Sequence, residues 1–193
     1  MQAVVLASGS QYRAQLLTRL GLDFRVVNPD IDETPLTREP PADLSKRLAR
    51  QKAEAAGRML TGDHLIIASD QVVANGDSTL GKPGTPQRAC EQLANMSGRC
   101  VDVFTSLHII ETSSARHFAA LDNTRATLRV LDEQSIARYI AQDAPLDCAG
   151  SFKAEALGIT LFETIHSNDP TALIGLPMIK VCEGLRYFGI QLP

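Results

Sequence analysis

Short apolar runs alternate with amphipathic stretches along this chain, and the alternation has the rhythm of strand and helix. Ala3 to Ala7 is an unbroken apolar run rich in β-branched residues and reads as a buried strand. Ser8-Gly9-Ser10 turns the chain into a segment from Arg13 to Leu20. There Leu16, Leu17 and Leu20 share one helical face, and Gly21 supplies the stop. Phe24 to Val27 is a second short strand, so the chain opens as a βαβ unit. Pro40-Pro41 begin a helix running to about Met59, with Leu44, Leu48, Ala55 and Met59 along one side. His64 to Val73 is a third strand, followed by the turn Asn75-Gly76-Asp77. Thr85 caps, and Pro86 opens, a helix whose inner face is Ala89, Leu93 and Met96.

The second half reads differently. Cys100 to Ile110 and Phe118 to Val130 are long strands joined by the polar turn Glu111 to Arg116. Asp132 caps a helix in which Ile136, Tyr139 and Ile140 share a face. Ile159 to Ile165 is the last strand. A final helix starts near Pro170 or Thr171, breaks around Gly175-Leu176-Pro177 and resumes to about Arg186. βα units combined with an antiparallel pair predict an α/β protein with a mixed, twisted sheet flanked by helices. No repeat or linker divides the chain, so residues 1–193 are expected to form a single domain.

Composition narrows the function. At 193 residues and 44% hydrophobic, the chain can bury a sizeable core. A net charge of −3 argues against a stable nucleic-acid partner. Cys90, Cys100, Cys148 and Cys182 lack metal-ligand spacing and fit reduced core thiols of a cytoplasmic protein. Met1-Gln2 leads straight into the first strand without a cationic leader, and no apolar run approaches the roughly 18–20 residues that span a bilayer. Neither an export signal nor a membrane partner is expected.

The chemistry concentrates where the third strand changes character. Leu65 to Ala68 is apolar, and Ser69-Asp70-Gln71 follows at once, which reads as an acid at the carboxyl end of a buried strand. Gly81-Lys82-Pro83 holds a cation on a rigid turn nearby. Ser8-Gly9-Ser10 ahead of a helix is a phosphate-sized turn, and Arg13 adds a planar fork. Asp32-Glu33-Thr34 is an acidic loop able to hold a hard cation. Acids and cations in this mixture suit phosphoryl chemistry. Neither GxxxxGK[ST] nor GxGxxG is present, and the four histidines have no ligand spacing to one another.

In order and spacing, these segments resemble the Maf family of nucleotide pyrophosphatases. The residues that carry the resemblance are Leu6-Ala7-Ser8-Gly9-Ser10-Gln11-Tyr12-Arg13, Asp32-Glu33-Thr34, Lys52-Ala53, Ser69-Asp70-Gln71, Gly81-Lys82-Pro83, Cys148 to Lys153 and Gly175-Leu176-Pro177. The resemblance implies an elongated, two-lobed Maf/ITPase-like architecture with a cleft. It implies cleavage of a nucleoside triphosphate between its α and β phosphates with a divalent metal, Mg²⁺ or Mn²⁺, and it suggests a homodimer. Carried over by similarity, Ser8, Arg13, Lys52 and Lys82 would contact the triphosphate. Glu33 and Asp70 would organise the metal, with Asp70 as proton acceptor.

Many members have Pro-Arg where this chain has Gln11-Tyr12. Tyr12, Gln71 and Glu155 stand where the family sets base choice, and the set resembles the branch acting on 7-methyl-GTP. Physical chemistry agrees: N7-methylation makes guanine cationic, an aromatic ring stacks on a cation, and a carboxylate accepts from the guanine N1–H and N2–H edge. A dTTP or UTP pyrophosphatase, and a nucleotide-binding division regulator with little turnover, are the competing expectations.

Overall fold

A computed structural model describes residues 2–114 and 116–193. Next to one edge of its sheet, β1 (Ala3–Ala7) pairs in parallel with β2 (Phe24–Val27) on one side and β3 (His64–Asn75) on the other. The chain therefore leaves β1 in one direction through α1 (Gln11–Thr18) and returns past it through α2 (Pro41–Arg58). The crevice beyond the carboxyl end of such a strand is where open α/β sheets bind ligands.

β3 outruns β1. Their pairing ends at Leu6↔Ile67, whereas β3 continues antiparallel against β5 (Cys100–Glu111) through Ala74↔Asp102. Asp70 is therefore in the middle of a strand, not at its end as the apolar-to-polar switch predicts. What ends there is the neighbour, and the gap it leaves opens the flank of β3. The sheet runs β2-β1-β3-β5-β6-β7, with β6 at His117–Leu128 and β7 at Phe162–His166; the short β4 (Ser78–Leu80) folds back on β3. Three strands of 12 residues, β3, β5 and β6, reach about 40 Å at the usual rise per residue, which makes the molecule long.

Alternation along these strands sorts the core. Ile66 and Ala68 face α2, packing with Val5, Ala7, Ala53 and Ala56. Leu65 and Ile67 face the opposite way, with Leu107 and Ile109, onto Leu16 and Leu17 of α1 and Val181 and Leu185 of α5 (Met178–Tyr187). Farther along that face, Val73, Val101 and Val103 meet Ala89, Leu93 and Met96 of α3 (Pro86–Met96) and Ile136, Tyr139 and Ile140 of α4 (Glu133–Asp143). Two lobes result, sharing the same long strands.

Capping explains several boundaries. Ser10 accepts from the Arg13 amide and starts α1 two residues earlier than the periodicity predicts. Thr85 and Asp132 cap α3 and α4 through the Arg88 and Ser135 amides. Three expectations need correction. The helix expected near Pro170 is only a 3₁₀ turn, Ala172–Ile174, stopped by Gly175 at φ +117°, before α5 begins at Met178. The last strand is shorter than expected, because Leu157–Leu161 forms a 3₁₀ turn before Phe162. The cysteines are free but none is fully buried, and Cys100 is exposed. Among the described residues no helix is long and apolar enough to cross a membrane.

Candidate active site

A cleft of about 820 Å³ opens beside the end of β1, within the size range of small-molecule sites. Ser8, Tyr12, Arg13, Glu33, Lys52, Asp70, Gln71, Lys82 and Glu155 all line it, although they come from six separate stretches of chain.

Lys52 and Asp70 form its centre. Lys52 projects from α2 and places Nζ 2.6 Å from Asp70 Oδ1 and 2.6 Å from Glu33 Oε1. The reason is the pleat: Asp70 shares its face of β3 with Ile66 and Ala68, so it points at α2. Asp70 is only 5% exposed. Burial raises its pKa above the ordinary 3.8, even against the opposing charges of Lys52 and Arg13. Burial pushes Glu33 the same way, but hydrogen bonding and charge from Lys52, with help from Lys82 and Arg13, hold Glu33 below its ordinary value. Asp32, next door, accepts from the Thr34 amide at 2.9 Å and serves its own turn.

Arg13 approaches from the first turn of α1. Its Nε donates to the Gly175 carbonyl at 2.7 Å and its Nη1 to Ser8 Oγ at 3.3 Å. That uses two of its five N–H groups and leaves the rest for a ligand. Burial lowers the Arg13 pKa, while Asp70 and Glu33 pull it back up. Ser8 Oγ also accepts from the Ser10 amide, which orders the turn.

Gln71 points to the opposite face from Asp70, so the two adjacent residues do different things. Its amide nitrogen donates to the Ala172 and Leu173 carbonyls at 2.9 and 3.1 Å. Ser69, on the same face, donates to the Gly175 carbonyl at 2.9 Å, and Thr105 donates to Ala172 at 2.9 Å. This carbonyl-lined turn is braced from behind by buried Asp169, which accepts from the Thr171 amide, the Thr171 hydroxyl and the Ile179 amide. Only the Gln71 carbonyl oxygen is left to meet a ligand.

Glu155 belongs to a separate group of charges. Burial raises its pKa, and Asp143 and Asp147 raise it further while Lys153 opposes them. Lys153 is itself tied to the Asp143 carbonyl at 2.7 Å. Burial works to lower the Lys153 pKa, but nearby Tyr12 and Cys148 outweigh it. Burial, then Asp147, pushes the Cys148 thiol up to about 12, so Cys148 lines the cleft as a neutral group. The cleft thus holds two electrostatic neighbourhoods. Arg13, Lys52, Lys82, Glu33 and Asp70 act on one another; Glu155, Asp147, Asp143 and Lys153 act on one another.

Among the described residues no three His, Cys, Asp or Glu side chains gather as a metal cage. Glu33 and Asp70 nevertheless converge on one point, the place of the Lys52 ammonium, with hard oxygen donors. Two carboxylates suit an Mg²⁺- or Mn²⁺-type ion that completes its shell with phosphate oxygens and water. Sequence reasoning missed the backbone acceptors at 172, 173 and 175, because a carbonyl leaves no trace in residue identity.

Residues 3–188 match the family model described as Maf-like protein. The chain is 47% identical over 196 residues to the 7-methyl-GTP pyrophosphatase of Pseudomonas putida, covering 100% of both chains. It is 49% identical over 192 residues to the protein of that name in Chromohalobacter salexigens, covering 99% of this chain and 98% of the relative. The solved Ham1 protein of Staphylococcus aureus aligns over 66% of this chain and 72% of its own, at 18% identity and a TM-score of 0.46.

Proposed function

The chain belongs to the Maf family, and on that premise we propose that it hydrolyses 7-methyl-GTP to 7-methyl-GMP and pyrophosphate, with residues 1–193 acting as one catalytic unit. One observation carries the choice of base: the cleft is lined by Arg13, Lys52 and Lys82 in one part and by Asp147 and Glu155 in another. A triphosphate suits the first. A cationic base suits the second, where a neutral pyrimidine would gain little from the acids.

In the proposed reaction a water attacks the α phosphate in line with the departing pyrophosphate. Asp70 takes the water's proton, a role for which its raised pKa suits it better than an ordinary aspartate. Arg13, Lys52 and Lys82 offset charge on the phosphates, and Ser8 donates its hydroxyl. As the triphosphate enters, Lys52 exchanges part of its pairing with Glu33 and Asp70 for phosphate oxygens. Glu33 and Asp70 would hold the divalent cation there. Such a cation, when bound, adds charge neutralisation and helps align the phosphates. Tyr12 stacks on the methylated guanine, Glu155 accepts from its N1–H and N2–H edge, and Gln71 offers its carbonyl oxygen while bracing the turn at residues 172–173.

The test is a nucleotide panel with Mg²⁺ or Mn²⁺, reading pyrophosphate and nucleoside monophosphate. 7-Methyl-GTP should be turned over best. Best turnover of dTTP or UTP, or nucleotide binding without pyrophosphate release, would overturn the proposal.

A further inference from the structure

The two neighbourhoods of the cleft are joined by a residue that touches neither substrate half. Gln92 lies on α3 next to Leu93, which is wholly buried in the far-lobe core. Its Nε2 donates to the Gly81 carbonyl at 3.1 Å. Its Oε1 accepts from Ser151 Oγ at 2.5 Å. The Gly81 carbonyl can only accept, so the amide orientation follows from chemistry. Gly81 precedes Lys82, which faces the triphosphate neighbourhood. Ser151 opens the segment that carries Lys153 and Glu155, the base neighbourhood.

A second link lies close by: the Gly84 amide donates at 3.0 Å to the carbonyl of Leu146, in the stretch that leads into Ser151. The far segment is also under constraint. Gly150 and Ser151 have φ of +70° and +61°, in the left-handed region. A Cβ at Gly150 would lie 3.0 Å from Val73. A serine holds such a backbone only where its surroundings impose it. The hydroxyl bond to Gln92 is one of the contacts that impose it.

We infer that Gln92 is a positioning residue that sets the spacing between Lys82 and Glu155, so that phosphate and base subsites are in register for one nucleotide. The inference rests on the proposed function. A nucleotide is a rigid ruler: its base and phosphates are joined, so both subsites must be filled at once. Fragments are not so bound, since each settles in its own subsite whatever the spacing.

The experiment compares Gln92→Ala, and separately Ser151→Gly, with the unsubstituted protein. Ser151→Gly suits the positive φ and removes the CH2OH side chain that bonds Gln92, so it guards against a folding failure in Gln92→Ala. For each, kcat/KM is measured for 7-methyl-GTP and UTP, with inhibition constants for tripolyphosphate and for 7-methylguanosine. Both variants should lose about ten-fold in kcat/KM for 7-methyl-GTP, the effect of one or two lost hydrogen bonds. UTP should lose less, and both fragments should inhibit as before. Fragment inhibition weakened as much as 7-methyl-GTP turnover, or equal loss for both nucleotides, would mean a merely structural role and overturn the inference. If the unsubstituted protein releases no pyrophosphate from 7-methyl-GTP, the function fails, and this inference with it.

Discussion

Lys52 on α2 and Asp70 on β3 lie 2.6 Å apart, nitrogen to oxygen, in the floor of the cleft, and Lys52 holds Glu33 at the same distance. One ammonium between two carboxylates is a resting arrangement that a triphosphate disturbs directly. Burial has nonetheless won the contest over Asp70, whose pKa lies above the ordinary value. The pairing keeps an acid in place without making it a weak base.

Asp70→Asn should lower kcat for 7-methyl-GTP by about 10²- to 10⁴-fold, the usual contribution of a positioned general base. The folded protein holds the Asp70 proton more tightly than the unfolded chain does, so ionised Asp70 costs stability above its pKa. Removing the charge, with Glu33 still pairing Lys52, should leave Tm at neutral pH unchanged or higher. Near-full turnover by the variant would rule out the base.

The pH profile follows from the same shift. Asp70 accepts a proton only when ionised, so kcat/KM should fall as pH drops through a value above 3.8. The residual activity of Asp70→Asn should lack that acid limb. An acid limb at or below 3.8 in the unsubstituted enzyme would contradict the assignment.

Base choice should separate by substitution. Tyr12→Phe keeps the stacking ring and should retain 7-methyl-GTP turnover, whereas Tyr12→Ala should lose about 0.5–2 kcal/mol of transition-state binding. Glu155→Gln should reduce the preference for 7-methyl-GTP over unmethylated GTP, because the methylated base alone carries the positive charge. Equal losses for 7-methyl-GTP and UTP in steady-state assays would argue against both roles.

Gly175→Ala should harm both stability and binding. Gly175 has φ +117°, and an added Cβ would lie 3.3 Å from Arg13 Nε. Strain of about 1–3 kcal/mol should appear as a lower Tm. Displacement of Arg13 should also weaken tripolyphosphate inhibition. Unchanged inhibition would separate the Gly175 turn from phosphate binding.

Far from the cleft, Glu111 accepts from Gln2, Ser114 and Arg116. The Arg116 hydrogen bonds, then those of Ser114 and Gln2, lower its pKa from the ordinary 4.5 to about 2. Its folded-state pKa is depressed, so its contribution is present above pH 4.5 and is lost as pH falls through about 2. Glu111→Gln should therefore lose less stability than the unsubstituted protein across that interval in acid-unfolding titrations.

The sequence is legible where local rules act alone. The apolar run at Ala3–Ala7, the cap at Thr85 with Pro86, and the cap at Asp132 all mark their elements within a residue or two. The polar residues at 69–71 mark the site because a buried strand carries polar side chains only where they find partners: Asp70 meets Lys52, while Ser69 and Gln71 hold the turn at residues 172–175. Two places were illegible. The 3₁₀ turn at Ala172–Ile174 keeps a helical composition but is held by Gln71, Thr105 and Asp169 from other elements. His108 and His117, nine residues apart by number, stack at 5.5 Å only because β5 and β6 pair in that register.

By itself, the sequence determined the residue types available to the cleft, the βα opening and, through ordered motifs, the family. Tertiary structure decided how those residues divide. A two-residue period sends Asp70 toward α2 and Gln71 toward the turn at residues 172–175, so adjacent positions serve opposite faces of one sheet. The sequence already runs the third strand past Asp70 to Val73; tertiary structure decided the register, in which β1 pairs only as far as Ile67 while β3 continues against β5. That mismatch in length opens the flank of Asp70 to the cleft.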